Sequence, residues 1–171
     1  VSALEDCTEG IGNIAVGRYA AADIVDADGN VAIGAFDGTV QPAMRLNTKS
    51  HDNVAIGSGA LAAHNLTDNS SGFNTAVGYS AGNAVTTGVQ NTLIGSKAGL
   101  ALTEGDGVVA VGFEALMTED GNGNSVAVGR QALRTQNAGA EAYNVAVGNG
   151  AGFNVSTGVQ NTLIGGSSGD A

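Results

Sequence analysis

The block TGVQNTLIG, Thr87 to Gly95, returns without change as Thr157 to Gly165. Its last five residues, Asn91-Thr92-Leu93-Ile94-Gly95, are one of nine copies of a pentapeptide. The others are Asn13 to Gly17 (NIAVG), Asn30 to Gly34 (NVAIG), Asn53 to Gly57 (NVAIG), Asn74 to Gly78 (NTAVG), Val108 to Gly112 (VVAVG), Ser125 to Gly129 (SVAVG), Asn144 to Gly148 (NVAVG) and Asn161 to Gly165 (NTLIG). The closing glycines stand 17, 23, 21, 17, 17, 17, 19 and 17 residues apart, so the period is 17 with insertions of six, four and two. A second element follows most of these glycines. Three residues on comes Ala, then Leu or Gly, as in Ala60-Leu61, Ala81-Gly82, Ala98-Gly99, Ala115-Leu116, Ala132-Leu133 and Ala151-Gly152. A polar stretch rich in Thr, Asn, Asp and Gly then reads as a turn.

A period of 17 is too short for the common helical repeats, which run to more than about 30 residues. Val, Ile and Thr fill the pentapeptide and favour strands, and the recurrent Gly suits a sharp corner. One coil therefore reads as a strand, a Gly corner, a second short strand and a polar turn. Stacked about 4.8 Å apart, such coils make an all-β protein, a parallel β-solenoid of about nine 17-residue coils and roughly 40 Å in length. The whole chain, 1-171, reads as a single repeat domain.

Alternation along the strand sorts the side chains. The second and fourth pentapeptide positions are Ile, Val or Thr and share one face. The third is always Ala or Leu: Ala15, Ala32, Ala55, Ala76, Leu93, Ala110, Ala127, Ala146 and Leu163. Both faces are thus apolar, as in strands buried on both sides. One face lines the coil, and the other needs a partner, most economically a second copy of the chain. The small third-position residues are expected to permit that close approach, as interface between copies or as core. The Asn that opens seven of nine pentapeptides reads as a hydrogen-bonded ladder at a solenoid corner.

Composition narrows the function. The formal net charge is −10, from 16 acidic and 6 basic residues. Arg18, Arg45, Lys49, Lys97, Arg130 and Arg134 are dispersed, which argues against nucleic acid as a partner. No apolar run approaches the ~20 residues of a membrane span, so no membrane insertion is expected. With four Phe, three Tyr and no Trp, the core must be built mainly of small aliphatic residues, unlike that of a wide barrel. Cys7 is the lone cysteine, so neither an internal disulfide nor a cysteine zinc cluster is available. It reads as a small free or buried thiol, or else as a link between chains.

At the pentapeptides the sequence resembles the head repeats of YadA-like trimeric autotransporter adhesins, with their x-[VT]-A-[IV]-G motif. It is also similar to N-T-A-[VL]-G repeats in tailed-phage fibre proteins. The resemblance covers Asn13 to Gly165. It implies a left-handed β-roll in an intertwined homotrimer, with the pentapeptide strands toward the trimer axis. It further implies a virion tail fibre or an extracellular, cell-surface location, with neighbouring fibre domains as partners. The 17-residue period is longer than that of typical adhesin heads and favours the phage side, and no coiled-coil heptads are visible. The chain is expected to be a segment of a longer fibre or a shaft subunit.

Catalytic chemistry is thinly represented. His51 and His64 are the only histidines and read as exposed loop residues. Glu104, Asp106, Glu119 and Asp120 fall in turns and read as solvated, without the set carboxylate pair of a glycosidase. Asp26 to Asn30 opens like a calcium loop, but the twelfth residue is Asp37, not Glu, and Asn30 already begins a strand. No metal, cofactor or enzymatic activity is expected. The insertions carry the binding expectation, because loops on a repeat scaffold often bind. The larger is placed around Gly38 to Asp52, with Pro42, Arg45, Lys49 and His51. The next spans about Ala62 to Gly72, with His64, Asp68 and Asn69. If the chain binds a cell-surface glycan or receptor, these two loops are the expected place.

The sequence therefore reads as a non-enzymatic structural or adhesive fibre segment. Alternatives are a solenoid that binds glycan, ice or calcium, a filament subunit, or a depolymerising tailspike. An ice-type array would need Thr more regularly than at Thr75, Thr92 and Thr162.

Overall fold

A computed structural model describes residues 2–121 and 123–170. Val1 and Ala171, the bounds of the expected domain, and Asn122 lie outside the described residues. The pentapeptides form nine three-residue strands: β1 (Ile14–Val16), β2 (Val31–Ile33), β3 (Val54–Ile56), β4 (Thr75–Val77), β5 (Thr92–Ile94), β6 (Val109–Val111), β7 (Val126–Val128), β8 (Val145–Val147) and β9 (Thr162–Ile164). They pair in chain order as one parallel sheet. Their register never slips: Ala55 lies beside Ala76, Ala76 beside Leu93 and Leu93 beside Ala110. The chain is a β-solenoid in which each repeat position becomes a column along the stack.

The middle strand residues Ala32, Ala55, Ala76, Leu93, Ala110, Ala127 and Ala146 are completely buried, and Ala15 and Leu163 pack against the same core at its ends. They point into the coil. Of the two expected roles, interface or core, these residues take the core. A 17-residue coil is so narrow that only Ala, or Leu with special neighbours, fits between the strand and the opposite wall. The outward columns are the second and fourth positions, such as Val109 and Val111 or Val126 and Val128, which remain half-buried.

The second half of each coil is not a strand, which corrects the sequence reading. Ser80 and Gly82 have φ of 54° and 56° on either side of Ala81, and Glu114 and Leu116 have 54° and 49° around Ala115. Left-handed residues break the extended backbone a strand requires. The turns still bond between coils. The Ser80 N–H donates to the Ser58 carbonyl of the coil before, and the Gly82 N–H to the Ala98 carbonyl of the coil after. At the strand corner Gly is obligatory. Gly112 has φ 138°, and a Cβ there would lie 2.3 Å from the Gly129 carbonyl oxygen. Close coil stacking and the backbone angle both exclude a side chain.

The core columns compensate one another. Three coils with Ala in mid-strand carry buried Leu in the turn, Ala55 with Leu61, Ala110 with Leu116 and Ala127 with Leu133. Where mid-strand is Leu93, the turn positions beside it are Gly82 and Gly99, whose added Cβ atoms would lie 2.6 and 2.8 Å from its two methyls. Leu163 is flanked in the same way by Gly152 and Gly169. The unchanged NTLIG block is thus a packing unit, in which one Leu fills space that turn leucines fill elsewhere.

The Asn column is a ladder. Asn74 Oδ1 accepts the N–H of Asn91 at 3.0 Å, and Asn74 Nδ2 donates to the Gly88 carbonyl at 2.9 Å. Asn91 repeats this with Val108 N–H at 2.8 Å and the Gly105 carbonyl at 2.8 Å. Each rung satisfies backbone groups that the corner leaves outside the sheet.

Candidate functional site

The six-residue insertion leaves the stack between Gly34 and Ala43. The Ala43 N–H closes on the Gly34 carbonyl at 3.2 Å, as the Ala60 N–H closes on Gly57 at 3.1 Å in a coil without an insertion there. The inserted loop is therefore shifted toward the chain start from the expected 38–52. It is pinned from within: Asp37 Oδ1 accepts from Thr39 N–H, Thr39 hydroxyl and Val40 N–H at 2.8, 2.9 and 2.8 Å. The Val40 and Thr39 amides, with the Thr39 hydroxyl, hold the Asp37 carboxyl below its ordinary pKa. The loop also leans on the next coil, where a Cβ on Gly59 would lie 2.6 Å from Val40 Cγ1.

Between this loop and the neighbouring corner lies an open cleft of about 290 Å³, lined by Tyr19, Phe36, Gln41, Pro42 and Arg45. The Arg18 guanidinium stands 5.1 Å from the Tyr19 ring centre and 5.6 Å from that of Phe36, tying the two rings together. Arg45 pairs with Asp23. The wall thus offers two aromatic rings and a proline beside an amide and a guanidinium. Tyr19, Phe36 and Gln41 were not singled out from the sequence. The shift of the insertion hid them. Measuring the usual Gly-to-Ala spacing of three from Gly34, and finding Ala43 instead, would have exposed the loop.

Other expected site residues are dispersed. Arg45, Lys49 and His51 occupy regular coil positions, and only Arg45 reaches the cleft. His51 Nδ1 accepts the Asp28 N–H of the coil before at 2.9 Å, a bracing contact. Asp68 and Asn69 are exposed in the four-residue insertion, which leaves the stack at the other end of the strand. The Ser70 hydroxyl donates to Asp68 at 2.6 Å and holds its carboxyl below the ordinary pKa. Asn69 Nδ2 donates to Asp26 at 3.1 Å. The two insertions do not build one site. Among the described residues, no group of three His, Cys, Asp or Glu is placed to hold a metal ion.

Two residues read as solvated are buried instead. His64 and Glu119 have no exposed surface. Both fall in the core column four residues after the turn Ala, where Ile24, Val85 and Leu102 stand in other coils. His64 Nε2 meets the Ser50 hydroxyl at 2.9 Å, within a cluster that includes Asn47, Asn53 and Asn74. Burial drives the His64 pKa down to about 4, outweighing its backbone contact with Thr86. Glu119 accepts from Gln136 Nε2 at 3.0 Å, and Gln136 Oε1 accepts from Asn144 Nδ2 at 2.7 Å. Both clusters serve the interior and offer nothing to a ligand in solvent. Periodicity alone could have marked them, since the same column position is filled by buried Ile24, Val85 and Leu102 in other coils.

The remaining feature is the outward strand face. Two columns of Val, Ile and Thr run the length of the sheet, and Ile94 and Val147 are 39% and 38% exposed. Tyr79, Phe113 and Tyr143 add exposed aromatic rings beside the strands. No charged residue occupies any of the nine strands. Comparison with protein-family models, curated proteins and solved structures returns no match. The adhesin-head resemblance rests on the recurrence of the pentapeptide itself.

Proposed function

We propose that this chain is a rigid, non-catalytic segment of a fibre, of a tailed phage or a bacterial surface adhesin, and that three copies associate through their outward strand faces. The observation that carries this reading is the continuous apolar strip of second- and fourth-position residues. A strand with one face left in water alternates apolar inward with polar outward residues, whereas these strands keep Val, Ile or Thr at every outward position. Apolar strips of such extent mark interaction surfaces. The same strip on each copy suits a cyclic assembly, in which heterologous contacts repeated about one axis close a ring. The resemblance to trimeric heads supplies the number three and the location, on a virion or a cell surface. Mechanically, the stacked backbone bonds resist bending and the assembled strips add apolar burial, at roughly 25 cal/mol per Å².

The test is the solution mass of the full chain by light scattering coupled to size exclusion. Three times the 16.7 kDa chain mass is expected. A clean monomer at tens of micromolar would overturn the assembly and with it the fibre reading.

A further inference from the structure

We infer that the cleft beside the six-residue insertion binds one ring of a neutral saccharide. This site is independent of the outward strand face. Its walls match the chemistry of a pyranose, which has apolar C–H faces and a rim of hydroxyls. Tyr19, Phe36 and Pro42 supply the apolar surfaces. Gln41 supplies a donor and an acceptor in one group, and Arg45 supplies further donors. The volume of about 290 Å³ stands at the lower end of small-molecule clefts and suits a single ring.

Two features argue for a built site. First, the loop is fixed without the cleft residues: Asp37 holds its tip and Val40 seats it on Gly59. Phe36 and Gln41 are not needed for that anchoring, and Gln41 is exposed. Second, the Arg18 guanidinium stands within cation–π range of both rings and links them. A rigid aromatic wall lowers the ordering cost of binding. Charge selects the class of sugar. Arg45 is paired with Asp23, and the acidic Asp37 follows Phe36 directly in the loop, so two carboxylates offset the two guanidinium groups of the neighbourhood. The chain as a whole carries −10 and repels polyanions. A neutral hexose chain is favoured over a uronate or sialylated one.

The experiment uses the full chain, labelled for amide correlation spectra where its assembled mass permits and otherwise followed by calorimetry. Neutral probes are maltotriose, mannotriose and galactobiose, with trigalacturonate as the acidic counterpart. Binding of at least one neutral probe in the millimolar range or tighter is expected, with shifts centred on Tyr19, Phe36 and Gln41. Phe36→Ala should weaken it by about tenfold or more, and Tyr19→Phe should change it less than Tyr19→Ala. Circular dichroism and solution mass on the same variants separate loss of the site from loss of the fold or of assembly. Tighter binding of trigalacturonate, shifts confined to other coils, affinity indifferent to Phe36→Ala, or silence from all the neutral probes at ten millimolar would each overturn the proposal.

Discussion

Leu93 shows how a single residue is bound to its neighbours. Its methyls occupy the space that Gly82 and Gly99 leave free. We expect Leu93→Ala to cost about 2–5 kcal/mol, the range for a buried Leu that leaves a cavity. Gly99→Leu alone should overpack the coil and cost about 1–3 kcal/mol. Combined, the two should cost less than their sum, because Leu116 and Leu133 show that this turn position accepts Leu when mid-strand is Ala. Urea unfolding of the four proteins measures this, and strict additivity would refute the interlock. His64 gives a second test at this scale. The unfolded chain takes up a proton near pH 6.5, whereas the buried ring resists until about 4. Stability from this residue is therefore complete above pH 6.5 and falls by about 3 kcal/mol as pH drops to about 4. His64→Gln should flatten that part of the melting-temperature profile, Gln being the residue that Gln136 places in the same column.

The stacked coil is the element of this fold, and its Asn rungs decide whether neighbouring corners stay closed. Asn74→Ala would strip a buried acceptor from Asn91 N–H and a buried donor from the Gly88 carbonyl. The expected loss is about 1–3 kcal/mol for each group left unpaired. Asn13→Ala, at a part-exposed terminal rung, should cost less because water replaces the lost partner. Thermal melts of the two variants make the comparison, and equal losses would show that the ladder is not what holds the corners. The strands and the ladder were legible in the sequence because both repeat strictly. The turn half was misread as a strand because Ala and Leu carry no mark of positive φ. Leu61 and Leu116 take φ of 46° and 49°, where their N–H groups donate to the Ala81 and Ala132 carbonyls of adjoining coils and their side chains fill the core.

Across the whole molecule, the outward apolar strip is the surface expected to decide assembly. Val126→Lys replaces a half-buried outward residue and leaves the coil interior untouched. We expect it to reduce the assembled fraction in light scattering while the circular dichroism spectrum is retained. A variant that assembles like the parent would point to another contact surface. Ala127→Lys, directed inward, should instead prevent folding, because a buried unpaired charge has no partner in that column.

The sequence by itself determined the solenoid, its nine strands, the 17-residue period and the Asn ladder. Each of these is a local pattern repeated, and stacking identical coils leaves one solution. The tertiary structure alone decided which strand face lies inside, since alternation separates two apolar faces without ranking them. The width of the coil ranks them, and it admits only the narrow Ala and Leu column. Tertiary structure also decided that His64 and Glu119 are buried and that Tyr19, Phe36, Gln41 and Arg45 share a cleft. Tyr19 lies one coil away from Phe36, Gln41 and Arg45, and Glu119 one coil away from Gln136, so only closure of the coils brings them together.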